Sequence, residues 1–149
     1  MRKTITLVLL FFFSLANVSI AENTKFLSLK NDKVNVRFGP SLKSPIKFIY
    51  YKKFLPIKII DSKENFKRII DHKKNSGWIH RSQLREANSI IVLEDKIVFK
   101  KNSKFSKPLV KLEKGRLIQV KKCISNWCKI KTENYLGWLQ NNDVWGLSN

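Results

Sequence analysis

Two cysteines and two histidines are the residues of this chain best suited to nucleophilic, metal or redox chemistry. Cys123 and Cys128 bracket Ile124-Ser125-Asn126-Trp127. A nucleophilic thiol needs a base beside it, and a structural metal needs four ligands. His72 and His80 stand far upstream, and a redox pair favours a tighter Cys-x-x-Cys spacing at a helix start. If Ser125-Asn126 is a two-residue hairpin turn, Ile124 pairs with Trp127 and Cys123 falls opposite Cys128. Such a non-hydrogen-bonded pair has Cα atoms about 4.5 Å apart, which a disulfide accepts. Closing so short a loop contributes about 2 kcal/mol. The expectation is therefore a Cys123–Cys128 disulfide, with no metal, no cofactor and no catalytic residue. Asp61, Glu64 and Asp71 fall in predicted turns and converge on no pocket.

Recognition chemistry has better material. Arg37 can bind a carboxylate or brace its own turn, and Phe38 follows it in Arg37-Phe38-Gly39-Pro40. Tyr50 and Tyr51 are adjacent, so in a strand one faces the core and the other solvent. Arg37, Phe38, Tyr50 and Tyr51 are the candidate ligand-binding residues. Trp78 and Trp138 are expected in the core rather than on a ligand platform.

The elements that must position these residues occur twice. Val34/Val36, Ser44-Pro45, a hydrophobic strand pattern and Gly77-Trp78-Ile79 are followed by Ile97/Phe99, Lys107-Pro108, a second such pattern and Gly137-Trp138-Leu139. Aligning Val34 with Ile97, Leu42 with Phe105 and Pro45 with Pro108 gives an offset of 63, which falls to 60 at the Gly-Trp pairs. The length difference is thus assigned to hairpin loops. Apolar residues alternate over short runs rich in β-branched and aromatic types, with breakers between them. Strands are predicted near 33–38, 47–52, 55–61, 65–71 and 77–80, and again near 96–100, 110–113, 117–123, 127–132 and 136–140. Five short strands in about sixty residues must curl to close a core. The join lies around Arg85-Glu86-Ala87-Asn88-Ser89, and 90–93 either crosses between the units or begins the second.

The first 21 residues read as an export signal: Arg2 and Lys3, an apolar run over 5–15, then Ser19-Ile20-Ala21 as a cleavage site. If it is cleaved, the mature chain begins at Glu22, is periplasmic or secreted, and holds no transmembrane segment; the alternative is an uncleaved N-terminal anchor, since 4–21 carries no charge. The mature chain keeps 28 basic residues against 11 acidic, about +17. The 24 Lys far outnumber the 6 Arg, and they are scattered as pairs such as Lys52-Lys53 and Lys121-Lys122. Scattered lysines make a solvated face, so nucleic acid is not an expected partner. Each sixty-residue unit buries only about 60% of its unfolded surface and is marginal alone. Packing against the other unit, or a disulfide, supplies the difference.

The pattern resembles the bacterial SH3-like (SH3b) domain family in two tandem copies. The residues that carry it are Val34-Asn35-Val36-Arg37-Phe38-Gly39-Pro40, then Asn65-Phe66-Lys67-Arg68-Ile69 and Asn126-Trp127-Cys128-Lys129-Ile130. Gly77-Trp78-Ile79 and Gly137-Trp138-Leu139 close the copies, each followed by a short turn near Ser82-Gln83-Leu84 or Asn142-Asp143-Val144. The likeness spans about 26–147. The second copy departs from it, with Lys100-Lys101-Asn102-Ser103 where Arg-x-Gly-Pro stands in the first. Asn102 is suited to a left-handed turn there. The tail Val144-Trp145-Gly146-Leu147 resembles exported members from Gram-negative bacteria.

The resemblance implies an all-β protein of two small SH3-like barrels, at 22–86 and 87–149. It also implies a non-enzymatic role in the cell envelope, recognising peptidoglycan or peptide components. The alternative is a periplasmic adaptor between proteins, without a cell-wall ligand. The first copy, which keeps the Arg37 loop, is expected to recognise; the second, with its cysteines, to stabilise.

Overall fold

The computed structural model describes residues 25–148, so the predicted leader at 1–21 lies outside the described residues. Short runs of alternating β-branched residues set the strands, because their side chains pack well on a pleated surface. The first half forms β1 (Phe26–Leu29), β2 (Val34–Arg37), β3 (Ile46–Tyr50), β4 (Pro56–Lys63), β5 (Phe66–Ile70) and β6 (Ser76–His80). A 3-10 turn, Arg81–Gln83, leads into β7 (Leu84–Glu86). The second half repeats the plan with β8 (Ser89–Val92), β9 (Lys96–Phe99), β10 (Pro108–Leu112), β11 (Leu117–Ile124), β12 (Trp127–Lys131), β13 (Leu136–Gln140) and β14 (Val144–Trp145). The sheets run β3-β2-β6-β5-β4-β1-β7 and β10-β9-β13-β12-β11-β8-β14, with every pair between neighbours antiparallel. Each curls around its own apolar cluster, centred on Val36, Ile57, Ile69 and Ile79 in one and on Val98, Ile118, Ile130 and Leu139 in the other. The all-β expectation of two tandem barrels holds.

The pairing corrects the register inferred between the copies. Gly77 sits against Val36 Cγ1, the Arg37 carbonyl and Lys47; Gly137 sits against Val98 Cγ1, the Phe99 carbonyl and Leu109. Val36 therefore corresponds to Val98, an offset of 62, and the structural partner of Arg37 is Phe99. Val98 is fully buried while Ile97 is 48% exposed. The alternation Ile97/Phe99 mimicked the core pattern, and a slip of one residue exchanges the two faces of a strand. The loop before β9 is one residue shorter than the loop before β2. Further losses before Gly115 and before β13 account for the drift to 60, all of them in loops.

The segment matching Arg37-Phe38-Gly39-Pro40 is thus Phe99-Lys100-Lys101-Asn102. Its loop keeps the same shape: the Phe38 amide donates to the Pro45 carbonyl and the Lys100 amide to that of Lys107. Asn102 is not left-handed among the described residues, so the loop is held by these bonds rather than by a special turn residue.

The barrels are packed together. Trp145 on β14 joins the first domain's core, stands edge-on to Phe26 at 5.0 Å, and donates its indole N–H to the Pro56 carbonyl at 2.9 Å. Ile91 and Leu117 of the second domain belong to the same cluster. The Ser28 and Ser89 hydroxyls meet at 3.2 Å in the buried seam, and Ser89 Oγ also bonds the Phe54 carbonyl. Gly146, at φ +118°, lets the chain turn where a Cβ would meet the Ser89 carbonyl at 2.7 Å. The Ser148 hydroxyl then accepts from the Phe26 amide.

Candidate functional site

Strand alternation decides what each barrel shows to solvent. In β6, Gly77 and Ile79 face inward, so Trp78 must face outward. Trp78 pairs directly with Arg37 on β2 and Arg68 on β5, and Arg68 in turn with Asp61 on β4. Directly paired side chains lie on one face with Cβ atoms about 5 Å apart. The outer face of the first domain therefore carries the row Arg37–Trp78–Arg68–Asp61. A shallow cleft of about 140 Å³ lies along it, lined by Arg37, Phe38, Lys47, Arg68, Ser76 and Trp78, with Gly77 at its base.

Arg37 braces the loop that begins at Phe38: its Nη1 donates to the Ser44 carbonyl at 2.7 Å. Phe38 projects from that loop, 64% exposed, with the Lys47 ammonium 5.6 Å from its ring centroid. Lys47 is itself fixed, its Nζ donating to the Ser76 carbonyl at 2.9 Å. It sits at a β-bulge between Val36 and Arg37 pairings, a device that re-aims a side chain at a sheet edge. Cation, aromatic and guanidinium groups thus share one small face, suited to a carboxylate with an apolar neighbour.

Tyr50 and Tyr51 are elsewhere. In the β2–β3 hairpin Val34 pairs with Tyr50 and Arg37 with Ile46, so the tyrosines stand at the opposite end from Phe38. Tyr50 is half-buried against the core and stacks edge-on to Phe48 at 5.1 Å. Its hydroxyl donates to Asp71 Oδ2 at 2.9 Å. Burial, and then the bond to the Asp71 carboxylate, push its pKa well above the ordinary phenol value. Asp71 also accepts from the amides of Lys73 and Asn75 and from the Asn75 side chain, which ties off the β5–β6 loop. Tyr51 is 72% exposed. The four residues singled out from the sequence fall into two groups.

Trp78 and Trp138 correct the expectation of core tryptophans: both are half-buried on outer faces, and neither belongs to a core cluster. The signal was present, since each stands between two inward residues of a five-residue strand. Arg68 and Lys47 carried no signal of their own, because their place beside Trp78 depends on the pairing of separate strands.

In the second domain the cysteines do what hairpin geometry required. Ile124 pairs with Trp127 and Cys123 with Cys128, the Cα atoms are 4.0 Å apart, and the disulfide is formed. Ser125, at φ +49°, makes the turn. The matching pair in the first domain is Ser62–Lys67, joined by a hydrogen bond of 2.9 Å from the lysine. His80 Nδ1 meets the Ser82 hydroxyl at 2.7 Å, and burial lowers the pKa of His72. No group of three or more His, Cys, Asp or Glu among the described residues could hold a metal. No helix among them is long and apolar enough to cross a membrane.

Comparison with known proteins adds the family. The bacterial SH3 domain matches residues 30–86 and again 98–146. The chain belongs to the bacterial SH3 domain family. It carries two copies of a binding domain. No curated protein matches the chain in sequence. Among solved structures it is similar to NlpC2 from Trichomonas vaginalis, with 11% identity over 83% of this chain, 48% of that chain and a TM-score of 0.38. NlpC1 from the same organism gives 12%, 87%, 48% and 0.39. This chain spans about half the length of those structures.

Proposed function

We propose that the chain is an exported, non-enzymatic binding protein of the cell envelope that recognises peptide components of peptidoglycan. Its leader is removed after Ala21, and its two domains lie at 22–86 and 87–149. Recognition belongs to the first domain, on the face shared by Arg37, Phe38, Lys47, Arg68 and Trp78. The observation that carries this reading is the joining of an exposed Phe38 to a rigidly braced Arg37 loop in a chain of the bacterial SH3 domain family. Guanidinium and ammonium groups beside exposed rings suit the carboxylates and short side chains of wall peptides. Tyr51 is a secondary contact at the far end of the hairpin, and Tyr50 supports the fold beneath it.

Purified mature protein mixed with isolated sacculi tests this by co-sedimentation across a salt series. Binding is expected to persist at about 0.15 M salt, where exposed charges are screened beyond about 8 Å, and to fall in Phe38→Ala and Trp78→Ala. Binding that vanishes at that salt and ignores both substitutions is lysine charge alone, and the reading fails. Crosslinking in intact cells to a stoichiometric protein partner, with no sacculus binding, instead supports the adaptor role.

A further inference from the structure

The row that carries Trp78 in the first domain has a counterpart in the second with different chemistry. Across β9, β13, β12 and β11 it reads Phe99–Trp138–Lys129–Lys122. Where the first domain sets Asp61 against Arg68, the second sets Lys122 directly against Lys129. Like charges directly opposite each other on one sheet face destabilise it. Both ammonium groups also crowd the same indole, at 5.8 and 6.0 Å from the Trp138 ring centroid.

Two further lysines join them. Lys121 is the extra residue of a β-bulge between Val120 and Lys122, and Lys131 lies two residues beyond Lys129 on β12. The same bulge in the first domain carries Ile60, and the place of Lys131 is taken by Ile70. These four lysines, with Tyr135 and Leu136, line a groove of about 580 Å³ in which Glu133 is the one acid. None of the four has an ion-pair partner among the described residues. A sheet face that concentrates positive charge at some cost, beside an aromatic ring, is arranged for something that supplies negative charge.

We propose that this face of the second domain is a binding site for an anionic polysaccharide, with Lys122 and Lys129 meeting its acid groups beside Trp138. The groove's volume falls within the roughly 300–1,000 Å³ usual for ligand sites. Asn134 and Tyr135 in its lining offer neutral partners for hydroxyl groups, while the Thr132 hydroxyl is engaged with the Tyr135 backbone. A sugar polymer uses both kinds of group, whereas a polyanion without hydroxyls uses only the charge. The site is separate from the Arg37–Phe38 face and does not depend on its ligand.

The test is direct binding of the full mature protein to oligogalacturonate, which carries one carboxylate per ring, at about 0.15 M salt. Neutral dextran, poly-L-glutamate and oligo-dT serve as comparisons. Oligogalacturonate should bind most tightly, and Lys122→Gln/Lys129→Gln and Trp138→Phe should each weaken it about tenfold. Lys30→Gln/Lys33→Gln, which removes two exposed charges of the first domain away from both faces, should leave it unchanged. Because both lysines are removed from a like-charge pair, the lysine variant should also unfold at a higher urea midpoint, which separates lost binding from lost folding. Equal losses from Lys30→Gln/Lys33→Gln and from the Lys122/Lys129 pair would reduce the effect to net charge and overturn the site. Poly-L-glutamate or oligo-dT binding as tightly as the sugar would overturn the ligand class.

Discussion

Arg37, Trp78, Arg68 and Asp61 line the outer face of the first domain, and Phe99, Trp138, Lys129 and Lys122 line the same row of the second. Beneath these rows the barrels match closely. Val36 and Val98 fill the same space under Gly77 and Gly137, and both long hairpins bulge at the same point. The interior is held by packing, which tolerates little change in volume. The outer faces carry no such constraint, and there the copies have separated into a row that sets an acid against its arginines and a row whose charged residues are all lysines. Differences in function between the copies should therefore map to outward residues, and differences in stability to the few places where inward or loop chemistry also changed.

Trp145→Ala is the substitution expected to matter most. Truncating a fully buried Trp costs about 3–5 kcal/mol; Trp145 is half-buried against the first domain's core, so the lower end is expected, with the bond to the Pro56 carbonyl lost as well. It acts on the first domain although it lies in the second. Urea unfolding should show the first domain melting separately and earlier, turning one transition into two. A single transition at an unchanged midpoint would mean that the barrels stand independently of this contact, and that comparing them as isolated units is sound.

Next come the matched glycines. A Cβ at Gly77 would approach Val36 Cγ1 to 2.4 Å and the Arg37 carbonyl to 3.0 Å. At Gly137 it would approach Val98 Cγ1 to 2.5 Å, the Phe99 carbonyl to 2.7 Å and Leu109 to 3.0 Å. Forced overpacking of this kind costs about 1–3 kcal/mol. Gly137→Ala should sit at the upper end and exceed Gly77→Ala, since a backbone carbonyl yields less easily than a side chain. The reverse order of denaturation midpoints would show that the second barrel relaxes more readily than the first.

Reduction of Cys123–Cys128 should cost about 2 kcal/mol through the short loop it closes, and only in the second domain. The first domain has just the Ser62–Lys67 hydrogen bond at that place. Thermal unfolding with and without reductant, read against a Cys123→Ala/Cys128→Ala variant, checks this. A midpoint insensitive to reductant would leave the turn at Ser125, rather than the bond, as what holds the hairpin.

These cases also show what was legible beforehand. The cysteine pairing could be read because it follows from local hairpin geometry alone. The outward place of Trp78 was equally local, but the size and apolarity of the ring argued for the core and obscured the alternation. The register of β9 was less accessible, since Ile97-Val98-Phe99 is apolar throughout and offers no polar residue to mark the outer face. β1 went unpredicted, and the crossing of Trp145 into the other barrel was invisible. Both depend on contacts between residues far apart in the chain: β1 pairs with β4 and β7, and Trp145 bonds the Pro56 carbonyl. The division of Arg37, Phe38, Tyr50 and Tyr51 into two groups likewise required the pairing of β2 with β3.

The smallest expected effect concerns a contact that the second domain lacks altogether. Tyr50 corresponds to Leu112 and Asp71 to Thr132, so the phenol–carboxylate bond has no counterpart there. Tyr50→Phe removes one donor from Asp71 and leaves three, which should cost about 1 kcal/mol. Its signature lies in the pH dependence. The folded-state pKa of Tyr50 is raised above its unfolded value, so its contribution is complete below about pH 10. Above that pH the unfolded chain releases the phenol proton while the folded chain retains it, and stability falls as pH rises. The gap in urea midpoint between the parent protein and Tyr50→Phe should therefore be constant from pH 7 to about 9.5 and narrow above about pH 10. A gap that stays constant through that range would mean that Tyr50 ionises equally in both states, and that its hydroxyl is not held by Asp71 in solution.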